Sequence, residues 1–195
     1  MMRNFRLFVR GQWIYLVHVL ALLVPGREVP VLPAHPTPAQ TLTDWNEDEL
    51  KLMLDEARRQ GDRQVATLEQ IRGRAQWLFT FGAPLVVAVA SVYPAIGMND
   101  SDWWTLVWLV SLLAVGYGVV GAAAIMTVRA DINMIDSAVL SGYVRPILEA
   151  LAADCAGMMR DGENTVATRL TLFRQAVVWV IVGGYGALIT WLAVR

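Results

Sequence analysis

The sequence predicts an all-α integral membrane protein with three transmembrane helices and further amphipathic helices in the cytoplasm. Three apolar runs carry this prediction, at residues 77–97, 103–127 and 175–194. Each is close to the roughly 20 residues that a helix needs to cross a bilayer. The composition agrees, because 56% of the 195 residues are hydrophobic and only 17% are charged, against about 25% in soluble domains.

The first two runs are separated only by the polar segment 98–102, so 77–127 is predicted to be a transmembrane hairpin. That segment contains Asp100 and Asp102 but no Lys or Arg, whereas most of the 16 basic residues fall in 1–76 and 128–174. Positive charge collects on the cytoplasmic side of membrane proteins. We therefore expect a multi-pass inner-membrane protein with its N-terminus in the cytoplasm and its C-terminus outside.

Residues 1–24 form a weaker apolar and basic segment that admits three interpretations. A cleaved signal peptide would put 26–76 outside, against the charge distribution. A fourth span with the N-terminus outside would place the three arginines of this segment outside the cytoplasm, against the charge distribution. A helix lying on the inner leaflet keeps its basic end among the headgroups, and we favour this interpretation. The proline-rich residues 25–43 are predicted to be an extended linker.

Residues 44–76 are predicted to form a cytoplasmic helix that continues into the first span. Asp44 and Glu47 have the spacing of an N-terminal capping pair. Apolar or small residues then recur at steps of three and four, which predicts one buried stripe. The stripe either packs on another helix of the same chain or associates with a second copy. Its positions are Leu50, Leu54, Ala57, Gly61, Val65, Leu68, Ile71, Ala75 and Leu78.

Residues 128–174 are predicted to be a second cytoplasmic helical segment. Asp161-Gly-Glu-Asn164 resembles a turn, so we expect a new helix to begin at Thr165 and to enter the last span, within 175–195. The only cysteine, Cys155, falls on the apolar stripe of this segment. A buried structural thiol is the expectation there, rather than a reactive one.

Small residues within the second and third spans predict close contacts between helix backbones. Two interpretations stay open: packing within one chain, or a functional role as an interface between copies in a homo-oligomer or as a flexible pore wall. None of the three spans contains an Asp, Glu, Lys, Arg or His residue, which disfavours ion-coupled transport. The small residues proposed for this face are Gly118, Gly121, Ala122, Gly183 and Ala187.

Four arginines are predicted to form a basic collar at the inner face of the membrane: Arg72, Arg74, Arg169 and Arg174. Such a collar suits anionic lipid headgroups or the phosphate of a nucleotide ligand. The two histidines, His18 and His35, have no cysteine or acidic cluster at metal-binding spacing. No catalytic motif is present, so we expect no enzyme, no cofactor and no metal. A net charge of −1 gives no reason to expect a nucleic-acid partner.

The order of these parts resembles a family. A basic helix at 68–75 enters the first span, a tight hairpin and a cytoplasmic helical segment follow, and a second basic helix at 164–174 enters the last span. This layout, over residues 44–194, resembles the small helical membrane effectors of bacterial nucleotide-signalled antiphage systems, the Pycsar-type transmembrane effectors most closely. Those tend to carry a Lys-Ala pair where this chain has Arg74-Ala75.

The resemblance implies a membrane-perturbing protein that oligomerises through its helices after binding a ligand, and it transfers no ligand-binding residue. We therefore expect an oligomerising inner-membrane effector that responds to a cytoplasmic signal, such as a nucleotide second messenger. The alternative is a structural membrane protein that docks a cytoplasmic protein through 44–76 and 137–172. Both interpretations place the chain in contact with the lipid bilayer.

Overall fold

The computed structural model of the chain describes residues 2–21, 30–32, 45–93, 102–128 and 147–194. These residues form α1 (Met2–Ala21), α2 (Glu47–Ala90), α3 (Asp102–Thr127) and α4 (Ile147–Val194). The described ranges contain helices and no strand, so the all-α prediction is confirmed for them. Most of the proline-rich linker, the hairpin segment up to residue 101, and residues 129–146 lie outside the described residues.

A capping box begins α2, two residues later than the sequence pattern predicted. The Asn46 side-chain oxygen accepts a hydrogen bond from the Glu49 backbone N–H at 2.9 Å. The Glu49 carboxylate in turn accepts one from the Asn46 backbone N–H at 2.8 Å. Both exchanges satisfy N–H groups that a helix start leaves without partners. The predicted pair of Asp44 and Glu47 shares this spacing, but Asp44 lies outside the described residues.

The apolar stripe of α2 is confirmed. Leu50, Ala57, Ile71 and Ala75 are each less than 9% exposed, and the intervening stripe positions are half-buried. The helix runs without a break from Glu47 to Ala90, through Gly61 and Pro84. Burial of one face thus offsets the low helix propensity of glycine in the interior.

The predicted turn at 161–164 is wrong, because α4 is one helix from Ile147 to Val194. Gly162 is buried beside Gln64 of α2, whose side chain fills the position that a Cβ atom would take. The glycine therefore serves a close approach between two helices rather than a change of chain direction. Glu163 next to it accepts a hydrogen bond from the Gln60 amide at 2.5 Å. Tertiary contacts of this kind override local turn propensity.

Among the described residues, two helices rather than three are long and apolar enough to cross a membrane. They are Asp102–Thr127 and the stretch Ala150–Ala193 of α4. The predicted span at 77–97 fails this test within the described residues, where α2 ends at Ala90, and residues 94–97 lie outside them. The helical part of that span, 77–90, measures about 21 Å at 1.5 Å per residue. A bilayer core is about 30 Å thick, and the residues before Trp77 are polar and basic.

The described helices contribute to two compact units. Unit 1 comprises residues 1–30, 71–129 and 170–195, and unit 2 comprises 31–70 and 130–169. In unit 1, α3 carries more buried positions than any other described helix and packs on the other helices. Its core contains Val115 and Val119 of α3, Val89 of α2 and Ala187 of α4. Because α2 and α4 are each unbroken, both helices supply residues to both units.

Unit 2 has a small core and a polar interface between α2 and α4. Leu50 and Ala152 are its buried apolar pair, with Met53, Leu54 and Leu148 packed around them. The Gln64 amide donates to the Met159 carbonyl oxygen at 3.0 Å. In addition, the Leu32 backbone N–H donates to the Thr168 hydroxyl at 2.8 Å. Hydrogen bonds thus supplement a modest apolar core.

Candidate membrane surface and interhelical contacts

Unit 1 exposes large apolar side chains on every helix that contributes to it. They include Trp13 of α1 at 63%, Phe81 of α2 at 67%, Leu113 of α3 at 64% and Leu192 of α4 at 62% exposure. By contrast, the large exposed apolar residues of unit 2 within the described ranges are Val31, Trp45 and Leu52. Large apolar side chains exposed in this number favour contact with lipid or with another protein. We call this surface the apolar belt. Its other members are Val9, Leu16, Leu20, Trp77, Phe79, Val87, Tyr93, Trp103, Leu106, Leu109, Val110, Val120, Val178, Ile181, Val182, Tyr185, Leu188, Ile189 and Trp191.

The predicted basic collar divides in the structure. Arg72, Arg74 and Arg174 are exposed and belong to unit 1. Arg169 belongs to unit 2 and is only 5% exposed, so it does not present a cation at the surface. An exposed arginine that the collar omitted, Arg10, lies on α1 of unit 1.

The small residues proposed as a packing or oligomer face are all buried within this chain. A Cβ atom at Gly118 would lie 2.7 Å from the Ala176 carbonyl oxygen of α4, and one at Gly183 would lie 2.6 Å from the Ser111 carbonyl oxygen of α3. Ala122 is 0% and Ala187 is 6% exposed. Gly118 and Gly183 therefore lie at close contacts between α3 and α4 of this chain, and an interface between copies stays a prediction.

Gly121, the fifth small residue, faces α1 instead. The ring of Tyr15 occupies the space where a Cβ atom of Gly121 would lie. Tyr15 is fully buried, and its hydroxyl donates to the Tyr117 carbonyl oxygen at 2.9 Å. The two tyrosine rings meet edge to face with centroids 4.8 Å apart. This combination of shape, hydrogen bond and ring contact holds α1 on α3.

Hydrogen bonds between side chains connect α1 to α4. The Gln12 amide nitrogen donates to the Gln175 side-chain oxygen at 2.5 Å. The Trp179 indole N–H donates to the Gln12 side-chain oxygen at 3.3 Å. In surroundings poor in water, such bonds between helices contribute about 0.6 kcal/mol each, and up to about 1.7. Gln12 and Gln175 thus join helices that are far apart in the sequence.

These contacts place α1 against α3 and α4, and its orientation on the inner leaflet stays a prediction. Sequence reasoning missed Gln12 and Tyr15 as contact residues. The spacing of the residues could have indicated this contact face. Its buried members recur at helical spacing, namely Gly11, Ile14, Tyr15, His18 and Ala21. The opposite face of α1 carries Val9, Trp13, Leu16 and Leu20 of the apolar belt.

Cys155 is half-buried in unit 2. Burial, and secondarily the neighbouring Asp154 carboxylate, raises the pKa of the Cys155 thiol. A raised pKa reduces the fraction of nucleophilic thiolate, which suits the predicted structural role. No group of His, Cys, Asp and Glu residues suited to holding a metal ion occurs in the described part of the chain.

Comparison of the chain with protein-family models, with curated proteins and with solved structures finds no match.

Proposed function

We propose that the chain is an inner-membrane effector that perturbs the bilayer in response to a cytoplasmic signal. Unit 1 would lie in the membrane, with α3 and the apolar part of α4 crossing it. The apolar belt supports this placement, because exposed side chains such as Phe81 and Leu192 lose their contact with water in lipid. The charge distribution supports placing unit 2 in the cytoplasm and the C-terminus outside.

One observation carries the effector proposal, namely that α2 and α4 are each unbroken and supply residues to both units. A change in the rotation or spacing of these helices in unit 2 would reach unit 1 along the same hydrogen-bonded backbone. Discrete helix shifts of this kind are a common mechanism of conformational switching. A protein that is only anchored in the membrane has no need for two such continuous helices.

The test is induced expression together with the neighbouring genes, followed with a membrane-potential dye. We expect depolarisation and arrested growth for the natural sequence. Gln70→Pro removes a backbone donor and disrupts α2 at an exposed position where the two units divide. It should abolish depolarisation while the protein remains in the membrane fraction, and Gln70→Ala should retain full activity. Unchanged potential and growth with the natural sequence would overturn the proposal.

A second candidate is a scaffold that docks a cytoplasmic partner through unit 2. The observation that favours it is the exposure of Leu52 on α2, at 70%, outside the apolar belt. The natural full-length protein, purified from membranes, should then form a stable hetero-complex without harming the cells. Leu52→Glu should abolish the complex, while Lys51→Gln, which changes the exposed neighbouring residue, should preserve it.

A further inference from the structure

The exposed surface of α2 changes from polar to apolar at Trp77. In unit 1, the exposed side chains of α2 before this residue are Arg72, Arg74 and Gln76. Over 77–93 the exposed side chains are apolar or aromatic, apart from Thr80 and Ser91. Both hydroxyls donate to backbone carbonyl oxygens three or four residues earlier, at 2.9 and 2.7 Å. They therefore have the hydrogen-bond partners that a surface away from water requires.

The exposed surface of α4 changes in the same way. Within unit 1 its exposed side chains begin with Arg174, and from Val178 to Ala193 they are all apolar or aromatic. The polar side of the two transitions is positively charged, because it carries Arg72 and Arg74 of α2 together with Arg174. Asp102, at the start of α3, is the single carboxylate among the described residues of unit 1. This charge complements the headgroups of an anionic leaflet.

The two transitions lie at the same level of unit 1. Leu85 of α2 lies beside Gly184 of α4, 3.7 Å from the position of a Cβ atom there. Further along both helices, Val89 and Ala187 share one core cluster, so α2 and α4 run in the same direction. Counting back eight residues from Leu85 and from Gly184 leads to Trp77 on α2 and to the transition on α4. One plane through both helices is the arrangement that a membrane surface favours.

Trp77 and Phe81 lie at this level with stacked rings. Their ring centroids are 5.6 Å apart and their planes are inclined by 15°. The two residues are 65% and 67% exposed. The Trp77 indole N–H has no hydrogen-bond acceptor among the described residues. At the boundary between headgroups and acyl chains, a tryptophan ring contacts the acyl chains while its N–H reaches water or a headgroup oxygen.

We propose that the Trp77–Phe81 pair anchors α2 at the boundary between headgroups and acyl chains in the cytoplasmic leaflet of an anionic phospholipid bilayer. Arg74 precedes Trp77 by one helical turn on the same face, on the headgroup side. Ala88 would lie about 16 Å beyond Trp77 along the helix axis, near the middle of a core about 30 Å thick. α2 thus enters the bilayer without crossing it in the described residues. The inference rests on the proposed membrane placement of unit 1 and is independent of effector activity.

The experiment measures the accessibility of nitroxide labels by electron paramagnetic resonance. The full-length protein is reconstituted into vesicles of phosphatidylglycerol and phosphatidylcholine, and Cys155→Ser removes the only natural cysteine. Positions seven residues apart sample one helix face at three depths. The α2 variants are Arg74→Cys, Phe81→Cys and Ala88→Cys, all at exposed positions. The matched α4 variants, also at exposed positions, are Arg174→Cys, Ile181→Cys and Leu188→Cys.

The two relaxation reagents report different surroundings, because oxygen collects among acyl chains and a nickel chelate stays in water. We expect the nickel chelate to dominate for the label at Arg74→Cys. Oxygen should dominate at Phe81→Cys and still more at Ala88→Cys. The α4 set should show the same profile. Unchanged thermal unfolding of each variant establishes that the fold is intact.

The other profiles each identify a different error. Low accessibility to both reagents at Phe81→Cys and Ala88→Cys would show that a protein, such as a second copy, covers this face, and would overturn the proposal. Access of the nickel chelate to both positions, with oxygen still dominant deep in α4, would also overturn it, while the membrane placement of unit 1 would stand. Access of the nickel chelate throughout both sets would refute that placement as well.

The position of the Trp77 ring itself is measured by ¹⁹F NMR in lipid nanodiscs. The chain has eight tryptophans, and labelling with 5-fluorotryptophan gives each a signal. Trp77→Phe identifies the signal of Trp77, because that signal disappears. A spin label on the lipid headgroup should broaden it more than a spin label at the end of an acyl chain. The reverse order would place the ring in the bilayer interior and would overturn the anchor.

Discussion

The ring of Tyr15 fills the space beside Gly121, so that any side chain at position 121 would overlap its hydroxyl oxygen. The match joins α1 to α3 across unit 1, and the hydroxyl also donates to a backbone carbonyl of α3 at 2.9 Å. The absence of a side chain at Gly121 thus allows α1 to pack on α3.

Gly121→Ala should therefore destabilise the protein by about 1–3 kcal/mol, the usual cost of overpacking a well-filled contact. Thermal unfolding in detergent measures the loss, and limited proteolysis should show α1 cleaved earlier. Gly116→Ala on the same helix is the control, since nothing lies within 4 Å of a Cβ atom there. It should be neutral or stabilising by up to about 1 kcal/mol. Equal stability of the two variants would contradict the steric match.

Gly162→Ala should weaken unit 2 through the side chain of Gln64. The added methyl group would overlap that side chain and displace it from its 3.0 Å hydrogen bond to the Met159 carbonyl oxygen. A loss of about 1–3 kcal/mol is expected in chemical denaturation. Gly157→Ala, where a Cβ atom meets nothing within 4 Å, should lose no stability.

A double-mutant cycle isolates this contact. Gln64→Ala removes the obstructing side chain, so Gly162→Ala should cost less in that background than in the natural sequence. If the two changes were simply additive, the glycine would have another role.

Trp108→Phe should loosen the end of α2. The Trp108 indole N–H donates to the Val89 carbonyl oxygen at 2.8 Å, and this oxygen near the end of α2 also accepts a 3.3 Å hydrogen bond from the Val92 backbone N–H. We expect a loss of about 1–2 kcal/mol in thermal unfolding, from the missing bond and the smaller ring. Trp103→Phe, at a position 65% exposed on the same helix, should change stability by no more than about 0.5 kcal/mol. Similar losses for both variants would show that the Trp108 hydrogen bond contributes no specific stability.

Cys155 should react slowly with iodoacetamide at neutral pH. Burial, together with Asp154, raises the pKa of the thiol, so the rate should rise with pH and reach its midpoint above that of a free cysteine. The reaction is specific because the chain has one cysteine. Asp154→Asn should move the midpoint downward only in part, since burial is the larger cause, and Asp161→Asn should leave it in place. A midpoint at or below that of free cysteine would contradict the assignment.

Periodicity within one helix proved predictable, and contacts between helices did not. The stripe from Leu50 to Leu78 follows from spacing alone, because burial of one helix face repeats every three or four residues. The turn predicted at 161–164 failed because Gly162 packs on Gln64 of a distant helix. Apolar content likewise identified α3 and α4 as candidate spans, but it did not reveal that α2 ends at Ala90.

The candidate site was predictable to a similar degree. Small residues such as Gly118 and Gly183 were recognised as contact positions from composition. Arg169 was predicted to lie on the surface with the other arginines, although it is buried. Its position in the sequence showed that it precedes the last span, but did not show whether its side of the helix is packed against another helix.

The hydrogen bond between Gln12 and Gln175 constrains how the protein is made. Its two residues are 163 positions apart, and Tyr15 and Tyr117 are 102 apart. A ribosome releases α1 long before α4 exists, so the N-terminal helix must wait undocked for most of synthesis, and its exposed Gln12 and Tyr15 remain open to other partners. Contacts of such long sequence separation close late and slowly. Docking of α1 is therefore completed only after α4 has been synthesised and Gln175 can bond to Gln12.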